Sequence, residues 1–276
     1  MANPILSRPD AFSQRAPQGY APQPGYGYQQ GYGAPQAGYG MPQQGYGVPQ
    51  QAPQYTAEPT MTLDDVIAKT GITLLALMAV AAATFVAMPS GLIGMSLIVS
   101  GLVGFVTVML VATRKKINPG LVLVYAAIEG IFIGAFSKMF AGIYQGIVPQ
   151  AVLATFVAAG CTLAAYKFFN IRVTPKFRRM IFIGTAAFAG VMLVNFLLAL
   201  AGVNLGLRFG TIGLVAALLG IGLAISNLIV DFDDIERGIA MGAPASESWR
   251  AAFGLTVTMV WLYTEILRLL SYFRQN

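Results

Sequence analysis

The chain is predicted to be an all-α polytopic membrane protein, with seven transmembrane helices behind a disordered N-terminal tail. Three observations predict this. The 276 residues are 56% apolar and only 10% charged, where a soluble domain carries about 25% charge. The mean hydropathy is +0.66. Beyond position 60 the apolar residues fall into seven runs of 18 to 23 residues. Each run is long enough to cross roughly 30 Å of hydrocarbon at about 1.5 Å per residue.

Composition also excludes several functions. The formal charge is +6, but the basic residues lie between apolar runs rather than clustered on one face, so nucleic acid is not an expected partner. There is no histidine, which removes haem and the usual His-based zinc and copper sites and leaves any pH sensing near neutrality to carboxylates. Cys161 is the only cysteine and lies mid-span; it is expected to be buried packing, with no intrachain disulfide and no cysteine metal site. No cofactor is expected. Residues 1–60 contain no apolar stretch, so no cleavable signal peptide is expected.

The domain division follows the composition: a tail at 1–60 and a membrane domain at 61–276. The tail repeats a Gly-Tyr-Gly unit at Tyr26, Tyr32, Tyr39 and Tyr46, spaced by Pro, Gln and Ala. It lacks the apolar bulk to offset its ordering entropy and reads as disordered. It is either a dispensable solvated extension or a multivalent interaction segment.

The first helix is announced by Thr62, which can cap it, and by Asp64 and Asp65, whose charges suit a helix N-terminus. The apolar runs follow at about 71–88, 91–113, 119–140, 148–168, 179–201, 209–230 and 253–273. Pro89 separates the first two and predicts a tight hairpin. Lys and Arg number thirteen in the N-terminal region and alternate loops, against four on the other side. That places the N-terminus in the cytoplasm. The last run carries Glu265 and Arg268, so it either spans or is re-entrant. Gly130 and Gly134 form a small-xxx-small pair, and with Gly101, Gly104, Gly220 and Gly222 they are expected to let helices approach closely.

The polar residues inside the runs are the candidate site. Charge in a bilayer core is disfavoured by roughly 2.5–3.5 kcal/mol on insertion scales. Asp231 closes the sixth run and Glu265 lies inside the seventh. Brought together, two such carboxylates would titrate as a coupled pair; ionised, they offer hard oxygen ligands for Ca²⁺. The plainer account of Glu265 is a pair with Arg268, three residues on. Asp233, Asp234 and Glu236 follow Asp231 and read as a solvated cytoplasmic mouth, with Asp233 and Asp234 as secondary candidates. Acids at a helix C-terminus oppose its dipole, so either the helix continues or something cationic offsets them. An EF-hand is excluded, because Glu236 stands where its loop needs glycine. Glu129, mid-run in the third helix, either lines the same cavity or is a protonated acid bonded to a neighbour. Asn195 and Asn227 read as interhelical hydrogen-bond residues, and Lys138 is expected to snorkel to the interface.

Two segments resemble a known family. Ile229, Val230, Asp231, Phe232, Asp233, Asp234 and Ile235 resemble the Tyr-Asp-x-x-x-Ile ending of the sixth helix in the Bax-inhibitor-like membrane proteins (the transmembrane Bax-inhibitor-motif, YccA-type family). Leu262, Tyr263, Thr264 and Glu265, with the apolar run to Leu270, resemble that family's seventh-helix Leu-Tyr-Leu-Asp. The basic cluster from Arg114 to Lys116 also fits. The resemblance covers about residues 62–273. It implies a pH-sensitive calcium leak in a bacterial plasma (inner) membrane. Carried over, Asp231 and Glu265 are the proton sensor and transient calcium ligands, and Arg114 is the gating partner of Asp231. Glu265 stands where the family has Asp, and Val230 where it has Tyr.

The expected function is therefore a pH-sensitive calcium leak channel or transporter rather than an enzyme, with membrane lipid and the calcium ion as partners. The alternative is a regulatory membrane protein that modulates a membrane protease, or a stress response, by contact. An intramembrane aspartyl protease of the presenilin kind needs a Gly-x-Gly-Asp element, which is absent.

Overall fold

The computed structural model describes residues 59–114, 116–203 and 210–274. The tail expected at 1–60 lies outside the described residues up to position 58. The described chain is helical: α1 Leu63–Ala87, α2 Ile93–Thr113, α3 Pro119–Ala141, α4 Ile147–Phe168, α5 Pro175–Leu200, α6 Gly210–Ala240 and α7 Glu247–Phe273. All seven are long and apolar enough to cross a membrane. Large apolar side chains such as Leu75, Val86, Leu153 and Leu219 stand exposed on them. In a lipid solvent that is a wetted surface and not a defect.

Local signals account for the helix ends. Thr62 caps α1, its Oγ1 accepting from the Asp65 amide at 3.2 Å, with Asp64 and Asp65 in the first turn. Asn118 and Thr174 cap α3 and α5, each followed by proline at the first helical position. Met88 and Pro89 end α1, and a single 3-10 turn, Ser90–Leu92, leads into α2.

α7 forms the axis of the bundle. Of its apolar stretch 67% is buried, against 11% for α1. It packs on α1, α3, α4 and α6, while α2 rests on α3 and α5 on α6. The α1–α3 contact is close because glycines permit it. A Cβ at Gly130 would stand 2.7 Å from the Leu77 carbonyl oxygen, and one at Gly134 would stand 2.5 Å from that of Ala81. Gly222 has open space instead, so it is not a packing glycine. Cys161 is exposed, which corrects the expectation that it is buried: its face of α4 points outward rather than into the bundle.

At the α6–α7 end, a short strap ties the start of the domain to the connecting loop. The Met61 amide donates to Ala243 O at 2.7 Å and the Ala245 amide to Pro59 O at 2.8 Å. Lys69 Nζ adds a bond to Ala245 O at 2.9 Å. Met61, Val66, Leu228, Ile235, Ala251 and Leu255 pack beneath it.

Candidate functional site on the sixth and seventh helices

The site lies where α6 outruns its apolar stretch. The helix does not stop at Asp231 but continues to Ala240, so the acids after Asp231 sit within a helix. Asp231 is fully buried, and its Oδ2 accepts from Thr258 Oγ1 of α7 at 2.6 Å. A hydrogen bond to an ionised acceptor is among the stronger kinds.

Asp233 and Asp234 are also buried. This corrects the reading of them as a solvated mouth: the first turn of α5 covers them. Arg178 forks between them, with one guanidinium nitrogen 2.7 Å from Asp233 Oδ2 and the other on Asp234 Oδ1. Arg237 Nε reaches Asp233 at 2.8 Å and its Nη2 donates to Val173 O at 3.0 Å. The helix continues, and two cations offset its acids. Asp234 Oδ2 is buried with no hydrogen-bond partner among the described residues. Glu236 is exposed and accepts from the Tyr166 hydroxyl at 2.6 Å.

A second buried ion pair opens α7. Arg250 Nε lies 2.6 Å from Glu247 Oε2, and Arg250 is the largest fully buried side chain among the described residues. Its Nη1 donates to the backbone oxygen of Arg114 at 3.3 Å. The Arg114 side chain itself is exposed, whereas Asp231 is fully buried. What Arg114 brings to this region is its carbonyl; the enclosed cation is Arg250.

Glu265 is buried farther along α7. It pairs with Arg268 at 3.1 Å and lies so close to α6 that a Cβ on Gly220 would stand 2.8 Å from its carboxyl carbon. Two levels of the antiparallel α6–α7 seam are thereby defined: Asp231 opposite Thr258, and Gly220 opposite Glu265. Eleven residues of α6 and seven of α7 separate those levels, roughly 16 and 10 Å along the helices. Asp231 and Glu265 are not brought together. The residue facing Asp231 is Thr258, because the helix register puts the Glu265 side chain two turns deeper. Glu129 occupies a third place: it is half-buried, and a Cβ on Gly104 of α2 would stand 2.9 Å from its Oε2. Its neighbour is thus another helix. Asn227 behaves as expected, its Nδ2 donating to Thr185 Oγ1 of α5 at 2.8 Å.

Sequence reasoning missed Thr258, Arg178, Arg250 and Glu247. A threonine in an apolar helix hydrogen-bonds its own backbone so often that it carries no signal. Arg250 and Glu247 sit three apart at a helix start, which was the available clue.

Seven membrane-length helices with buried charge along one helix seam define a polytopic integral membrane protein. Residues 3–275 match the family model described as Bax inhibitor 1 like, and the chain belongs to that family. Among curated proteins, no relative matches.

Proposed function

We propose that this protein is a proton-sensitive calcium leak of a bacterial plasma membrane, with its N-terminus in the cytoplasm, and that Asp231 is its sensor. The observation that carries this reading is the fully buried Asp231 carboxylate held by Thr258 across the α6–α7 seam. Ionised, it binds Thr258 strongly and keeps the two helices in register. Protonated, it is a weaker acceptor, and the seam loosens at that level. The Arg178 fork on Asp233 and Asp234 closes the same end of α6. Glu265 with Arg268 forms a separate station deeper in the seam. Among the described residues no three acidic or thiol side chains are grouped to hold a metal.

Separate stations make a distinctive prediction. The purified protein in liposomes with an internal calcium dye is expected to show influx that changes with pH as the buried carboxylate gains its proton. Asp231→Asn should abolish the pH response. Glu265→Gln should alter the size of the flux and leave its pH midpoint in place. No influx above that of empty liposomes would refute the leak. A midpoint moved equally by both variants would restore a coupled pair.

A second reading, regulation of another membrane protein by contact, rests on the strap. Pro59–Met61, where the N-terminal segment enters the domain, is bonded to the α6–α7 loop. A partner bound to that segment would bias the loop that leads into Glu247 and Arg250 at the start of α7. Deletion of residues 1–57 is expected to leave liposome flux unchanged; under this reading it abolishes co-purification of the partner.

A further inference from the structure

A cavity of about 320 Å³ opens on the side of the bundle, away from the α6–α7 loop. Its walls are α1 and α4, which both pack on α7 but not closely on each other, and its floor is α3 and α7. We propose that this groove holds one acyl chain of an anionic phospholipid, with Lys138 at its headgroup. The inference goes beyond the ion-leak reading and does not depend on it.

The groove has the shape of a chain. It runs along α1 from Leu74 to Val86, twelve residues or about 18 Å, slightly more than the roughly 15 Å depth of one leaflet in a core roughly 30 Å thick. Met78, Val86 and Phe156 on its lips are exposed, so it opens sideways into the bilayer. Three hydroxyl side chains line it: Ser137, Thr155 and Tyr263. Their hydrogens are spent. Thr155 Oγ1 donates to Ala151 O at 2.7 Å and Ser137 Oγ to Ile133 O at 2.6 Å. With the Ser137 hydrogen committed, Tyr263 is the donor in its 2.6 Å bond to Ser137. The groove thus offers a ligand no hydroxyl hydrogen and presents an apolar wall otherwise. That suits hydrocarbon and disfavours a peptide or sugar, whose polar groups would go unpaired.

The charge at one end selects the headgroup. Lys138 follows Ser137, and its Nζ donates to Met88 O at 2.7 Å and Val86 O at 3.3 Å. These bonds pin the ammonium beside Val86, at the interfacial end of the groove. An ammonium has three N–H donors, so one remains for a lipid phosphate.

The test is lipid retention. Full-length protein purified in mild detergent is expected to keep one phospholipid in native mass spectrometry, enriched in anionic classes over the source membrane. Ala82→Trp fills the groove from an exposed position and should remove that lipid without changing the elution volume. Lys138→Gln should keep a lipid but lose the anionic enrichment. Wild-type protein without bound lipid, or Ala82→Trp that retains it, would overturn the proposal, as would a peptide or second copy in the groove. Independently of any variant, phosphatidylglycerol with a photoreactive acyl chain should crosslink at Met78 and Phe156. Crosslinks spread evenly over the outer faces of the helices would also overturn it.

Discussion

At the scale of the residue, the decisive contact is Thr258 with Asp231. Thr258→Val keeps the shape and removes the donor, leaving a buried carboxylate short of one hydrogen bond. A loss of about 1–3 kcal/mol is expected, read as a lowered thermal midpoint in detergent. Thr258→Ser should retain most of the stability, and Asp231→Asn in the Thr258→Val background should recover part of it. Equal loss in the valine and serine variants would mean that the bond is not what stabilises this point. Arg178 is the other test. Arg178→Ala removes the cation directly paired with Asp234 and, among the described residues, one of the two paired with Asp233. Removing one partner of a buried pair costs about 3–5 kcal/mol. The low end is expected here, because a fifth of the Arg178 side chain is exposed. Adding Asp234→Asn should restore stability, and a double-mutant cycle measures the coupling.

At the scale of the element, a close crossing on α3 was legible in advance, though not that α1 is its partner, and the α6–α7 register was not. Gly130 and Gly134 mark a close helix crossing by their spacing alone, and the crossing is there. Gly134→Leu is expected to abolish folded protein, since its Cβ alone would meet α1 backbone. Gly222→Ala should be neutral, because nothing lies within 4 Å of the added atom. Expression followed by size-exclusion chromatography separates the two outcomes. Along α6 and α7 the sequence marks which residues are charged but not how far one helix has slid past the other. A slide of two turns moves a side chain by about 11 Å with no change in apolar pattern. That is why Asp231 meets Thr258 and Glu265 meets Gly220. The burial of Asp233 and Asp234 was hidden for a related reason: their cover comes from Arg178 on α5, 55 residues away.

At the scale of the whole molecule, the charge asymmetry of the loops makes a topology that cysteine labelling can check. With Cys161 changed to serine, Lys116→Cys should react with an impermeant maleimide only after the membrane is opened. Ile143→Cys, exposed between α3 and α4, should react in intact cells. The reverse pattern would invert the topology and put the lipid groove in the cytoplasmic leaflet.

The order of residues along the chain was enough to establish an integral membrane protein of seven helices, where most of those helices start, and, through the motifs around Asp231 and Glu265, which family it resembles. These follow from local quantities: apolar length, a cap, a proline, a glycine spacing. The tertiary structure alone decided which acids share a level, which cation is enclosed, and where the bundle leaves a groove. Those depend on rotation and sliding between helices, and a uniformly apolar surface leaves both undetermined until every helix is packed against the others.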